Sequence, residues 1–260
     1  MADEVQPQTH VNVDKNELLD TCLLAGRIMI EGGSEMYRVE DTMKRIAANA
    51  GVTDAIIFTT PTGIFASIRN EPYTQLRQIQ TRDIDMEKVT RVNTLSRRFA
   101  TGEINLSQLH SALANLDGNV PYFPMWMQVG GAAIVSALLM VVFTQHYDWF
   151  DIPLAGVTGA IGFVVAGYIH NLTKIKFVSE LTASFVLALC ALIGVKLGIG
   201  RNLDNILIGA VMPLVPGVAI TNSIRDLLAG HLLTGIARGM EAILTASAIG
   251  FGIAVVISFA

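Results

Sequence analysis

The stretch of sequence that decides the fold is MWMQVGGAAIVSALLMVVF, residues 125–143, which contains no charged side chain. About 20 mainly apolar residues are needed to cross the hydrocarbon core of a bilayer, where a helix satisfies its backbone hydrogen bonds within the segment. The stretch is therefore predicted to span a membrane. Aromatic residues flank it on both sides, as is typical of the two membrane interfaces: Tyr122, Phe123, Trp126, Tyr147 and Trp149.

Four more apolar runs follow, and together they predict a transmembrane domain of residues 121–260. Its five helices are expected at about 125–144, 152–172, 179–199, 204–221 and 239–260. Of the 18 Lys and Arg, 12 lie in residues 1–124, as do 16 of the 22 Asp and Glu, which leaves 6 of each beyond. The formal charge of −4 therefore lies wholly in the first half. This composition excludes a wholly soluble enzyme and a basic nucleic-acid-binding protein.

The loop charges predict the orientation of the membrane domain. Positively charged residues favour the cytoplasmic side, and four basic residues would lie there against two outside if the N-terminus is cytoplasmic. The acid-rich start of the chain also lacks the basic and apolar regions of a secretory signal. We therefore expect a multi-pass protein of the cell membrane (plasma or inner), with a cytoplasmic N-terminus. The basic residues are Lys174, Lys176, Arg225 and Arg238 inside, and Lys196 and Arg201 outside.

Residues 1–120 are predicted to form a small cytoplasmic α+β domain. Asp14 and Ser34 are typical caps of two amphipathic helices. Two β-branched runs at 55–60 and 64–68 are joined by a turn-forming Pro-Thr-Gly, which predicts a hairpin. A third strand at 75–81 and two polar helices at about 85–100 and 105–116 complete the domain. The expected fold is thus an α+β cytoplasmic domain followed by an α-helical bundle of five transmembrane helices.

Two prolines and a glycine interrupt the fourth span. Pro213 and Pro216 lack a backbone N–H, so the carbonyls of Gly209 and Met212 are expected to lose their helical partners. Gly217 follows and tolerates a left-handed turn. Transporters use broken helices to place backbone dipoles against a substrate or ion. The competing interpretation is a bend that merely tilts the helix.

Polar residues cluster where this break ends. Asn222 and Asp226 share one helix face, as do Arg238 and Glu241 on the last helix. An amide with a carboxylate can hold an ammonium group, and Arg225 could bind a carboxylate in a bidentate manner. Ionisable groups at membrane depth are costly and usually functional, although ordinary ion pairing near the boundary is the alternative. The predicted substrate or ion pathway comprises Pro213, Pro216, Gly217, Asn222, Arg225, Asp226, Arg238 and Glu241.

A charged motif surrounds the predicted start of the second helix. Its glycines lack the Lys-Ser/Thr pair of a phosphate loop, so a turn with a cap is favoured there. A solvated helix face is the simplest interpretation of its charged residues. The scattered His and Cys residues and the lack of a nucleophile motif predict no metal site, no cofactor and no catalytic residue. The candidate residues of this cytoplasmic-domain motif are Gly33, Glu35, Arg38, Glu40 and Asp41.

Two pairs of stretches carry a family resemblance. They are GRIMIEGGSEMYRVEDTM at 26–43 with TTPTGIFAS at 59–67, and PGVAITNSIRD at 216–226 with GIARGMEA at 235–242. Over nearly the whole chain the sequence resembles the threonine/serine exporter family. The resemblance implies gradient-driven export of small hydrophilic metabolites across the cell membrane. The substrates it implies are threonine/serine-like amino acids or, in split members, dicarboxylates such as succinate.

The resemblance also implies a partner. Fused members of the family carry a second hydrophobic half, so the chain looks like the larger subunit of a two-component transporter. Its partners would be a second small membrane subunit with four or five spans, the small-molecule substrate and the lipid bilayer, and no nucleic acid. A homo-oligomer could supply the repeated faces instead.

Two other function classes remain open. The first is a membrane-embedded hydrolase with its site in residues 20–70, which should turn over substrate in detergent without a gradient. The second is a regulatory or scaffold membrane subunit without a pathway of its own. A scaffold should tolerate substitutions at Asn222 and Asp226.

Overall fold

The structure, a computed structural model, describes residues 14–72, 74–80, 84–118, 123–145 and 148–259. The chain forms two compact units, one of Met1–Pro121 with Thr221–Ala237 and one of Tyr122–Ile220 with Arg238–Ala260. It is mostly helical, with one small sheet. Tyr122 and Tyr147, which were predicted to lie at the membrane–water interfaces, are outside the described residues.

The first unit consists of helices around a three-stranded sheet. Its elements are α1 (Lys15–Glu31), α2 (Met36–Asn49), β1 (Ala55–Thr60), β2 (Gly63–Ile68), β3 (Thr74–Gln78), α3 (Met86–Ala100) and α4 (Leu106–Gly118). Asp14 caps α1 by accepting a hydrogen bond from the Asn16 N–H at 2.9 Å. Helix α1 packs against α2, α3, α4 and two strands, so its apolar side chains form the centre of the core.

The sheet has the antiparallel order β1-β2-β3, as the hairpin signal at Pro61-Thr62-Gly63 indicates. Side chains alternate between its faces because successive strand residues point in opposite directions. Ile57, Ile64 and Ala66 are buried in the core, whereas Phe58 and Phe65 pair on the opposite, exposed face. The third strand ends at Gln78, and the predicted end at residue 81 lies outside the described residues.

The second unit contains the apolar helices. They are α5 (Met125–Thr144), α6 (Ile152–Thr173), α7 (Lys176–Lys196), α8 (Leu203–Val211) and α10 (Leu232–Ile257), whose first turn and a half belong to the first unit. Helix α9 (Gly217–Leu228) also begins in the second unit and continues into the first. Among the described residues, four helices are long and apolar enough to cross a membrane, or five if the bent pair α8–α9 counts as one span.

Helix α5 shows how such a helix divides its surface. Its exposed face carries large apolar side chains four residues apart, such as Ile134 and Leu138, while Ala132, Ser136 and Met140 are buried on the other face. A face of small residues allows close approach between helices, and large apolar side chains on the outer face suit contact with lipid. This division is that of a helix embedded in a membrane bundle.

Two helices begin earlier than expected. Helix α7 begins at Lys176 rather than at 179, and α10 begins at Leu232 rather than at 239. The expected boundaries followed the uncharged runs, and therefore left Arg238 and Glu241 at a helix end. Backbone hydrogen bonds do not depend on side-chain charge, so α10 includes both residues.

The fourth apolar run is broken where the prolines predicted it. Helix α8 ends at Val211, a 3-10 turn covers Met212–Leu214, and α9 then leaves at 60° to α8. The expectation that two carbonyls lose their partners was wrong. The Met212 N–H bonds the Gly209 carbonyl, and the Val215 N–H bonds the Met212 carbonyl at 3.3 Å. The tighter i→i+3 pattern of the 3-10 turn supplies donors that the prolines cannot.

Gly217, which would tolerate a left-handed turn, does not adopt one. It is the first residue of α9, and it is not among the described glycines with positive φ. A side chain could be accommodated sterically, because a Cβ built at Gly217 meets no atom of the described residues within 4 Å. The amino end of α9 is therefore open on that side.

Candidate functional site

The two sequence motifs meet at the amino end of α2. The Asn222 side-chain amide donates a hydrogen bond to the Gly33 carbonyl at 2.8 Å. One carboxylate oxygen of Asp226, Oδ1, accepts from the Met36 backbone N–H at 2.9 Å. Arg225 lies beside Glu35, with 2.6 Å between Nη1 and Oε1. Three residues of α9 thus bind the turn between α1 and α2.

The local sequence explains why this turn accepts an outside partner. Gly33 has a φ of 85°, a left-handed conformation that suits glycine and reverses the chain after α1. Glu35 occupies the cap position of α2, but its side chain makes no capping hydrogen bond. The first N–H groups of a helix have no acceptor within the helix. Asp226, with 0% of its surface exposed, provides one for Met36 and places a negative charge at the positive end of the helix.

Glu35 is the most enclosed carboxylate of the motif, with 5% of its surface exposed. Its two oxygens contact two guanidinium groups, Arg225 at 2.6 Å and Arg38 at 3.2 Å. Burial by itself raises the pKa of Glu35. Hydrogen bonds from its own backbone N–H and from Arg225, together with the charge of Arg38, outweigh burial and hold the pKa below the ordinary 4.5. Glu35 is therefore ionised at neutral pH, and it joins a buried carboxylate to two exposed guanidinium groups.

Glu40 links α2 to the sheet and to the segment before α10. Its Oε1 accepts from the Thr59 hydroxyl at 2.8 Å and lies 3.9 Å from Nδ1 of His231. Lys44, one turn later on α2, lies 3.5 Å from Oε2. Asp41 differs, because it is exposed and pairs with Arg45 at 2.8 Å. Asp41 therefore belongs to the solvated helix face that the charge pattern suggested.

A tight helical hairpin holds the α9 residues in place. The Ser223 hydroxyl donates to the Gly235 carbonyl at 2.7 Å, and the His231 N–H donates to the Asp226 carbonyl at 2.8 Å. A Cβ built on Gly235 would lie 2.5 Å from the Leu227 side chain, so only glycine permits this close approach. Both sides of the hairpin thus keep Asp226 fixed relative to α10.

The remaining predicted residues lie in the second unit. Pro213 lies within the 3-10 turn of the broken segment, and Pro216 directly precedes α9. Glu241 forms an ion pair with Lys176, with 2.9 Å between Nζ and Oε1. Arg238 is buried on α10. Sequence reasoning missed Lys176, because it was assigned to a loop and its partner is 65 residues away.

Sequence reasoning also missed Asp151 and His231. Asp151 is fully buried and accepts hydrogen bonds from the N–H groups of Arg201 at 2.6 Å and Asn202 at 3.0 Å. It therefore binds the backbone just before α8, much as Asp226 binds the start of α2. The sequence does contain a signal for Asp151, since its carboxylate lies directly before an apolar run. Asp151 was counted only as a loop charge.

The described residues contain no group of three His, Cys, Asp or Glu that could hold a metal ion. Cys22 is buried, and burial raises the pKa of its thiol to about 12. Such a thiol stays protonated at neutral pH and is a poor nucleophile or metal ligand. The chemistry of the cluster at α2 is therefore that of arginines, carboxylates and one amide.

The family assignment follows from comparison with known proteins. A family model described as "Putative threonine/serine exporter" matches residues 20–260, which include both motifs and the broken segment. The chain belongs to the threonine/serine exporter family. A Mycobacterium tuberculosis protein named "Probable threonine/serine exporter" is 24% identical over 241 residues. No solved structure matches the chain significantly.

The threonine/serine exporter family is named for export and not for catalysis, and the apolar helices agree with a membrane-embedded protein of this family. The alignment with the M. tuberculosis relative covers 91% of this chain but 45% of the relative. The chain therefore spans slightly less than half the length of that relative.

Proposed function

We propose that this chain is the larger subunit of a two-component, gradient-driven exporter of small hydrophilic metabolites. Membership of the threonine/serine exporter family supports export, and the name of the M. tuberculosis relative supports threonine and serine as substrates. Dicarboxylates such as succinate form the second substrate class of the proposal. The carboxylate is the group that both classes share.

The single observation that carries the proposal is the broken apolar segment. Helix α9 starts at Gly217, directly after the break, and its amino end is open on the side where a Cβ would point. The positive end of a helix dipole favours a carboxylate, and the N–H groups of a first turn lack acceptors within the helix. Broken helices of transporters place such half-helix ends at the substrate site. Pro213 and Pro216 are proposed to create this helix start by stopping α8.

The charged residues would act around this end. We propose that Asn222, Arg225 and Asp226 control the position of α9 through their hydrogen bonds to the turn before α2. Arg238 and Glu241 complete the proposed pathway residues, with Glu241 held by Lys176. In this proposal, the motif residues Gly33 and Glu35 serve as the docking points for α9.

The proposed arrangement in the membrane has five spans, with α8 and α9 together as the broken fourth span. The N-terminal unit lies in the cytoplasm and the protein in the cell (inner or plasma) membrane. The distribution of basic residues supports this orientation, with four on the cytoplasmic side against two outside.

A second membrane subunit is part of the proposal. Broken-helix transporters commonly build their site between two repeats, each with its own interrupted helix. The described residues contain one bent pair of helices that is together long and apolar enough to form a membrane span. We propose a small partner of four or five spans as the source of the second half. A homo-oligomer is the competing source.

The test is counterflow in proteoliposomes with labelled threonine and labelled succinate, with and without the candidate partner. Replacing Pro213 and Pro216 together by alanine should abolish exchange but leave the protein folded. An interior proline costs a helix roughly 3 kcal/mol, so the melting temperature should stay or rise. Pro153→Ala is the matched control, because this proline lies in the first turn of α6, where proline is tolerated.

Three results would contradict parts of the proposal. Full exchange by a folded double variant would exclude a role for the break. Full export by this chain alone would exclude the second subunit. Turnover of a substrate in detergent, without any gradient, would favour the hydrolase.

A further inference from the structure

A polar cleft of about 230 Å³ lies between α2 and α3 in the first unit. Helix spacing places its lining residues on facing surfaces. On α2, Arg38, Thr42 and Arg45 follow each other at four and three residues, which is one helix face. On α3, Asn93 and Arg97 are four residues apart and form the opposite wall. The cleft is separate from the contacts that Asn222 and Asp226 make.

The floor of the cleft carries hydroxyl groups with unused hydrogen-bonding capacity. Thr42 is 6% exposed and Ser96 is 7% exposed, and neither side chain makes a hydrogen bond within the described residues. Hydroxyls in helices usually bond a carbonyl one turn back. On the same helix α3, Thr90 and Thr94 do so, at 2.8 Å and 3.0 Å. The floor hydroxyls therefore remain available to a ligand.

The rim of the cleft is positively charged. Three guanidinium groups and one carboxylate, Asp41, line it, so the lining carries a net charge of +2 from 3 − 1. Arg45 forms an ion pair with Asp41 at 2.8 Å, and Arg38 forms one with Glu35 at 3.2 Å. Arg97 has no ion pair within the described residues. A planar guanidinium with free donors suits bidentate binding of an oxyanion.

We propose that this cleft binds a phosphate group, either inorganic phosphate or a small phosphate monoester. The dianion of a phosphate monoester accepts hydrogen bonds only, and that of inorganic phosphate has a single O–H donor beside its acceptors. The charge of either dianion matches the net charge of the lining. Arg97 would bind two of its oxygens, and the Thr42 and Ser96 hydroxyls and the Asn93 amide would donate to the rest. The volume lies below the roughly 300–1,000 Å³ of drug-sized pockets, so only a small monoester fits.

Phosphate in the cleft would also act on the cluster at α2. Arg38 lines the cleft while it contacts Glu35, so a bound dianion competes with Glu35 for the same guanidinium. Glu35 would then depend on Arg225 for its charge partner. Phosphate binding is thereby coupled to the docking of α9. The binding itself does not depend on the proposed transport function.

The test is isothermal titration of the full chain in detergent with inorganic phosphate and with glycerol 3-phosphate, at constant ionic strength. Arg97→Gln should weaken binding about tenfold or more, since it removes a charge-assisted bidentate contact. Arg98→Gln is the matched control. It removes the same charge from the next residue, which pairs with Glu103 at 3.2 Å outside the cleft. Its affinity should stay within about twofold of the wild type.

Ser96→Ala gives a second, uncharged test, and it should weaken binding several-fold at an unchanged melting temperature. Tighter binding of inorganic phosphate or of the monoester identifies which form the cleft takes, and either supports the proposal. Absence of binding at millimolar concentrations of both would overturn it. Equal weakening by Arg97→Gln and Arg98→Gln would also overturn it, because binding would then reflect general charge alone.

Discussion

Replacing Asp226 by alanine should loosen the amino end of α2, although the two lie 190 residues apart in sequence. The substitution removes the carboxylate that accepts the Met36 N–H at 2.9 Å. Both residues are fully buried, so water cannot easily replace the lost acceptor. The perturbation therefore leaves a buried donor of the first helical turn without its carboxylate.

The size of the effect follows from two terms. A hydrogen bond to a charged group stabilises a protein by about 1.5–3 kcal/mol. A negative charge at a partly buried helix amino end adds about 0.3–2 kcal/mol. Their sum predicts a loss of about 2–5 kcal/mol for Asp226→Ala. Asp226→Asn keeps an oxygen acceptor but loses the charge, so about 1–2 kcal/mol should be lost.

Hydrogen exchange of the full chain in detergent measures this effect locally. If Met36 exchanges through local opening, a loss of about 2–5 kcal/mol accelerates exchange of its amide hydrogen about 30- to 4000-fold, at about 1.4 kcal/mol per factor of ten. Asp226→Asn should give an intermediate rate. The melting temperature should fall in the same order, wild type above asparagine above alanine.

Asp41→Ala serves as the control for loss of a carboxylate. Its side chain is exposed, and its pair with Arg45 one turn away contributes about 0.3–0.5 kcal/mol, so exchange at Met36 should hardly change. A wild-type exchange rate at Met36 in folded Asp226→Ala would refute the capping argument. Equal acceleration in both alanine variants would refute it as well.

Three further predictions concern other parts of the chain. The pKa of Glu35 lies below 4.5, so its ionised form stabilises the fold at neutral pH, and that contribution is lost as the pH falls through the lowered pKa. Hydrogen exchange of the α9 backbone amides should accelerate as the pH falls through this pKa. Glu35→Gln should remove this pH dependence. Gly252→Ala should cost about 1–3 kcal/mol and lower the melting temperature, because its Cβ would lie 2.6 Å from a backbone carbonyl oxygen, whereas Gly250→Ala meets open space. In a Cys190→Ala background, Cys22 should resist maleimide at pH 7 until the protein is denatured, and rapid labelling of the native protein would contradict the pKa of about 12.

Much of the local structure could be predicted from the sequence. The Asp14 cap, the hairpin at Pro61-Thr62-Gly63 and the break at Pro213 and Pro216 depend on a few neighbouring residues. Whether the carbonyls of Gly209 and Met212 find new hydrogen-bond donors could not be predicted in this way. Whether a proline leaves a carbonyl without a partner depends on the backbone path after it, and here a 3-10 turn supplies new donors.

The candidate site was predictable only as two separate motifs. The sequence identified Glu35 and Arg38 as one charged group, and Asn222, Arg225 and Asp226 as another. Helical periodicity shows which residues share a face within one helix, but it carries no information about a partner 190 residues away. His231 and Lys176 were missed for the same reason, since their acidic partners come from other elements.

The sequence by itself therefore determined that apolar segments follow a charged α+β domain, because the hydrophobicity of a segment and the conformations of turns are local properties. The tertiary structure decided what the charged residues do. Asp226 and Asn222 bind the backbone of the turn before α2, since a helix end needs outside partners and the fold brings α9 there. The same fold joins Arg225 to Glu35, because a buried carboxylate requires a nearby positive charge to remain ionised.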